Sequence, residues 1–161
     1  MSRLMVLGLG DILHHDKGLG FYAVRDLHRL DWPEGVIFAD ETCLRRQEFS
    51  LQGCECLIII EARHNGHQPG TPFRFSLDDT AEIGNRPTDP LLVRALTVCE
   101  LMGEAPEVVC MGLEPEDCGY DVRLSPTLTE AYSGFLSMVR REIEAGLGRL
   151  GIGCPTPMHE A

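Results

Sequence analysis

Apolar residues fall along this chain in two rhythms, short continuous runs and helical stripes, and the two alternate from end to end. Residues 3–9 read as a buried first strand, and Gly8-Leu9-Gly10 ends it with a backbone able to turn tightly. Asp16 then stands where a helix over 17–30 would be capped, with Leu19, Ala23, Leu27 and Leu30 at helical spacing. Residues 36–39 predict a short second strand, 44–51 a helical segment, and 56–62 a third strand. The run Leu57-Ile58-Ile59-Ile60 is apolar on both faces, which suits the middle of a parallel sheet.

The second half continues the alternation. Residues 63–70 are a polar loop, 71–76 predict an edge strand, and 78–89 are rich in turn formers without periodicity. Asp89 at the cap, Pro90 in the first turn, a stripe of Leu92, Ala95, Leu96, Cys99 and Met102, and Gly103 as the stop delimit the next helix. Residues 108–113 predict another buried strand, and 114–124 a loop. Ser125-Pro126 opens a final helix to about Leu147 with Leu128, Ala131, Tyr132, Phe135, Val139 and Ile143 inward. Strands alternating with helices predict one three-layer α/β/α domain over 1–147. Its sheet of about five mostly parallel strands would be flavodoxin-like or phosphorylase/hydrolase-like, and 148–161, with its Gly and Pro, would form a flexible tail. Ligands of such sheets bind beyond the carboxyl ends of the strands, so the loops after Leu9, Ala62 and Leu113 are where chemistry is expected.

Composition narrows the choice of partner. A formal net charge of −11 argues against a phosphate backbone, so no nucleic-acid partner is expected. No apolar run approaches the length needed to span a bilayer, and the N-terminal run is too short for a signal peptide, so a cytoplasmic location without a membrane partner is expected. Seven cysteines without a CxxC pair suggest neither a disulfide framework nor a structural zinc site. Cys54-x-Cys56 is the one close pair; strand geometry would place both thiols on one face, as ordinary reduced cysteines. Gly8-Leu9-Gly10 lacks the third glycine of GxGxxG, since position 13 is Leu, and this disfavours a dinucleotide site even with Asp40 near the end of the second strand.

The segment Leu7-Gly8-Leu9-Gly10-Asp11-Ile12-Leu13-His14-His15-Asp16-Lys17-Gly18-Leu19-Gly20 resembles the N-terminal signature GxGNxLxxDDGxG of the hydrogenase maturation proteases. Gly112-Leu113-Glu114-Pro115 and Leu124-Ser125-Pro126-Thr127 are similar to that family's GxxP and LSP segments, so the resemblance spans nearly the whole chain. It implies an endopeptidase that trims a C-terminal extension from the large-subunit precursor of a nickel-iron hydrogenase, after nickel has been inserted into that substrate. The family's ligands to the substrate's nickel are a carboxylate in the first motif, an Asp after the third strand and a His before the next-to-last helix. Here these positions are Lys17, Glu61 and Thr88, of which Glu61 alone keeps a metal-binding group. The family's DGGT-x-G turn is replaced by Ala39-Asp40-Glu41-Thr42-Cys43-Leu44.

Lys17 has a second peculiarity, because a cation at a helix start opposes the helix dipole by roughly 0.3–1 kcal/mol. The expectation is that its ammonium stands in the metal's place and pairs with Glu61, against the alternative that it points into water. Asp16 and Asp89 are expected as caps first and auxiliary ligands second. His64 with His67, and His14 with His15, could rebuild a relocated metal site at the same end of the sheet. No Cys-His or Ser-His-Asp nucleophile set is evident in the sequence. The leading expectation is a hydrogenase maturation protease-like protein acting on the large subunit's C-terminal region. The alternatives are a catalytically silent chaperone or scaffold of the same lineage and, more distantly, a small-molecule-binding module.

Overall fold

Residues 3–77 and 89–153 are described by the computed structural model. Five strands form one sheet: β1 (Leu4–Gly8), β2 (Val36–Asp40), β3 (Cys56–Ala62), β4 (Pro72–Phe75) and β5 (Glu107–Leu113). Their order is β2-β1-β3-β5-β4, parallel except for the antiparallel edge strand β4. The helices are α1 (Leu19–His28), α2 (Glu41–Leu44), α3 (Pro90–Leu101) and α4 (Pro126–Arg149), and a 3-10 turn, His15–Gly18, precedes α1. The chain runs outward from β1 to β2, then crosses to β3 on the other side. The switch in strand order therefore lies between β1 and β3, and sheets of this kind take their ligands in the crevice beyond the carboxyl ends at such a switch.

Alternation along β3 divides the core. Cys56, Ile58, Ile60 and Ala62 face Leu19, Ala23 and Leu27 of α1 and Phe135, Val139 and Ile143 of α4. Leu57 and Ile59 face the other way, with Leu7, Cys110, Leu44 of α2 and Leu92 of α3. Each fully buried aliphatic or aromatic side chain contributes about 1.5–3 kcal/mol, so the two layers hold the sheet from both sides. Closeness at the switch depends on glycine. A Cβ on Gly20 would lie 2.5 Å from the Leu9 carbonyl oxygen, and one on Gly8 would lie 2.2 Å from that of Gly20. These glycines let α1 start directly against the end of β1.

Several expected boundaries shift, each for a local reason. The helix expected at 44–51 is instead α2, because the Asp40 carboxylate accepts from the amides of Thr42 and Cys43 and starts the turn earlier. α1 ends before Leu30, and α3 ends before Met102 where Gly103 takes φ +71°, so both apolar residues are exposed. Cys54 precedes β3 in a turn closed onto Leu51. Its thiol lies in the α3 layer and that of Cys56 in the α4 layer, so the pair does not share a face. α4 runs on to Arg149, and Leu150 and Ile152 pack on the core. The tail expected from 148 is thus part of the fold as far as it is described. Residues 78–88, which include Thr88, and 154–161 lie outside the described residues.

Candidate functional site at the carboxyl ends of the strands

Three segments meet above the crevice: 9–18 after β1, 63–71 after β3 and 114–125 after β5. Backbone bonds lace them together, among them His15 N to Asp121 O, Asp16 N to Asp117 O, Arg63 N to Leu113 O and Gly70 N to Glu114 O. His15 takes φ +53°, which side chains other than glycine rarely adopt, and the kink turns the next residue inward.

That next residue is Asp16, which is fully buried. Its carboxylate accepts from the amides of Glu116 (2.8 Å), Asp117 (2.9 Å) and Ser125 (2.7 Å) and from the Ser125 hydroxyl (2.8 Å). Asp16 caps no helix, contrary to the sequence expectation. It ties the start of the first helical segment to the loop and helix that close the chain. The 3-10 turn and α1 have no side-chain cap. Ser125 accepts in turn from Leu128 N and caps α4, so one hydroxyl joins the buried carboxylate to the last helix.

Lys17 does not point into water. It is 6% exposed, and its ammonium donates to the Ala62 carbonyl at the end of β3, 2.8 Å away. The expected pair with Glu61 does not form, and alternation explains why. Glu61 follows Leu57 and Ile59 onto the α3 face, where its charge, after burial itself, helps push the Cys110 thiol up to about 12. The 3-10 turn leads into α1 on the opposite face, so the ammonium meets the strand's backbone rather than that carboxylate. Gly10, at φ +117°, lies so close to the Lys17 carbonyl that a Cβ would stand 2.0 Å from it, and this fixes where the lysine enters the crevice.

The other candidates sort themselves. Asp89 caps α3 by accepting from Leu91 N at 2.9 Å and takes Arg45 Nη2 at 3.2 Å. Asp40 is spent on α2; burial raises its pKa, but the Thr42 and Cys43 hydrogen bonds outweigh that and hold it below the usual range. The histidines are dispersed. His14 lies beside Asp11 and Tyr120, His15 Nδ1 meets the Arg123 carbonyl, and His67 packs on Phe73. Among the described residues no three His, Cys, Asp or Glu side chains are grouped so as to hold a metal ion.

Sequence reasoning missed Glu114 and Cys118. Glu114, 4% exposed, accepts from the amides of Asn65 (2.8 Å) and His67 (3.0 Å), and its Oε2 lies 3.4 Å from His64 Nδ1. The other nitrogen of His64 lies 3.8 Å from the Cys118 sulfur. The signals for Glu114 were its place directly after a buried strand at the ligand-binding end of the sheet and within the Gly112–Pro115 segment; nothing local marked Cys118.

No protein-family model matches the sequence, and no curated protein matches it either. Solved structures do. The fold is similar to that of the hydrogenase-maturating endopeptidase HybD from Escherichia coli, with a TM-score of 0.71 over 89% of this chain and 93% of that one, at 23% identity. A solution structure of an endopeptidase from Escherichia coli gives 0.68 over 95% and 96% at 22% identity. The nickel-iron hydrogenase maturation protease HycI from Thermococcus kodakarensis gives 0.69 over 89% and 93% at 16% identity. The chain has the fold of the hydrogenase maturation proteases along nearly its whole length, in agreement with the motif resemblance. No described helix is long and apolar enough to cross a membrane.

Proposed function

We propose that this chain is a divergent hydrogenase maturation protease-like protein. It engages the C-terminal region of a nickel-iron hydrogenase large-subunit precursor at the carboxyl ends of β1, β3 and β5. The observation that carries the reading furthest is the buried ammonium of Lys17, anchored on Ala62 O at the position where the resembled family presents a carboxylate to its substrate's nickel. An ammonium repels a divalent ion and has no lone pair to offer it while protonated. In this reading the precursor is recognised through the peptide that enters the crevice, and its nickel is not held from the β1 side.

Two versions follow, both confined to the same crevice. In one the extension is trimmed; in the other the protein is a silent chaperone that holds the precursor intact. Incubating the protein with a nickel-loaded precursor, followed by size-exclusion chromatography and intact mass measurement, separates them. A complex whose large subunit loses its C-terminal extension supports trimming, and a lasting complex with an intact subunit supports the chaperone. Absence of any complex at micromolar concentrations overturns both.

A further inference from the structure

Cys118, His64 and Glu114 come from two different loops and stand in a line at the end of β5. The Glu114 side chain is 5% exposed, and Oε1 is held by the amides of Asn65 and His67, on either side of the residue between them. Its Oε2 is thereby fixed 3.4 Å from His64 Nδ1. A carboxylate beside that nitrogen favours a proton on Nδ1. The Nε2 lone pair is left facing the Cys118 sulfur 3.8 Å away. A nucleophile, a base beside it and a third group orienting that base make the arrangement that activates thiols and hydroxyls, and such contacts are often looser without substrate. Sulfur and carboxylate lie against opposite nitrogens of one ring, so the three cannot converge on a single ion as metal ligands do.

The loop bearing Cys118 is fixed on both sides. Asp16 holds the amides of Glu116 and Asp117, and Asp117 Oδ1 accepts from Gly119 N at 2.8 Å. Cys43 is half-buried, as is Cys118. Cys54, Cys56, Cys99 and Cys110 are buried, and desolvation raises each of them, Cys54 to about 11. Cys118 is half-buried, and the side chain of its partner His64 is 45% exposed, so the pair stands at the surface.

We propose that Cys118, His64 and Glu114 form a nucleophilic thiol centre for acyl transfer, taking a peptide or ester carbonyl as substrate. Its physiological substrate rests on the reading above and would be a carbonyl of the precursor's extension; its chemistry does not depend on that reading. His64 Nε2 takes the thiol proton as sulfur bonds to the carbonyl carbon. The bond to the leaving nitrogen or oxygen breaks, and the leaving group receives that proton from Nε2–H. A water then gives a proton to Nε2, its oxygen bonds to the acyl carbon, the carbon–sulfur bond breaks and the proton returns to sulfur. Glu114 is a positioning residue in this scheme.

The test uses the full-length protein and p-nitrophenyl acetate, an ester with no hydrogenase feature. The expected result is a burst of p-nitrophenolate and an acetyl adduct on the Cys118 peptide. Cys118→Ser abolishes the adduct, and His64→Ala slows acylation by about 100-fold or more. Glu114→Gln keeps an oxygen for the two amides and lowers kcat with KM unchanged. Because Glu114 is buried, the exposed His64 carries the decision if the Glu114 variant unfolds. Acetylation elsewhere, or equal rates on Cys118 in the wild type and His64→Ala, overturns the thiol centre while leaving the docking reading untouched. Failure to bind the precursor does the reverse.

Discussion

The carboxyl end of β1 and the carboxyl end of β5 each carry a buried carboxylate, and they use it differently. Asp16 gives its lone pairs to three amides and a hydroxyl, all within the chain, and beside it the Lys17 ammonium donates to the Ala62 carbonyl. Glu114 spends one oxygen on two amides and turns the other to a half-exposed histidine that faces a thiol. The first end is sealed by internal bonds, whereas the second is braced and left open. Chemistry in this molecule is therefore expected at β5, although the motif that carries the family resemblance lies at β1.

The sharpest way to break the comparison is through the braces. Asp16→Ala leaves four donors without their acceptor, two of them on buried Ser125, and is expected to cost about 3–5 kcal/mol. Glu114→Ala orphans two amides and is expected to cost about 2–3 kcal/mol. Urea unfolding of both variants checks the order, and a larger loss for Glu114 would reverse the assignment of which end is structural.

The thiols give the next largest effect. Burial raises the Cys110 thiol to about 12 from 9.0, so the folded state keeps a proton that the unfolded chain sheds above its ordinary value. Stability from this group is intact below pH 9 and is lost as pH rises toward 12, on the order of 1 kcal/mol per pH unit in that window. Urea midpoints between pH 8 and 11 should fall, and fall less in Cys110→Ala. In the native state at neutral pH iodoacetamide should label Cys118 and leave Cys54 and Cys110 unlabelled.

The smallest effect concerns the seal. Lys17→Met removes one hydrogen bond to Ala62 O and also the cost of burying an ammonium, so stability should change by about 1 kcal/mol or less. A loss of several kcal/mol on thermal unfolding would show that the ammonium is a structural strut.

What the sequence disclosed and concealed follows the same division. The third strand, the Asp89-Pro90 helix start and the Ser125-Pro126 helix start were legible because their signals are local: an apolar run and side chains that cap the turn they precede. Asp16 was misread because an aspartate ahead of a helical stripe looks like a cap. Its true partners, Glu116, Asp117 and Ser125, are about a hundred residues away. That Lys17 turns inward was one of two open alternatives, and its partner was not foreseen, since strand alternation, which turns Glu61 away, has to be combined with where the 3-10 turn enters. Cys118 sits in a loop without periodicity and becomes meaningful only when the fold brings it to His64, 54 residues earlier. That position 17 lacks the carboxylate of the resembled signature was plain from the first motif; that its ammonium would meet the Ala62 carbonyl was not.

The central claim is that a covalently attached ammonium occupies the β1 position from which the resembled family addresses a metal. Calorimetric titration of nickel into the wild type, Lys17→Glu and Glu61→Ala tests it most directly. No micromolar nickel binding is expected for the wild type, and Lys17→Glu alone restores none, because Glu61 lies on the opposite face of β3. Tight nickel binding by the wild type that Glu61→Ala abolishes would contradict it.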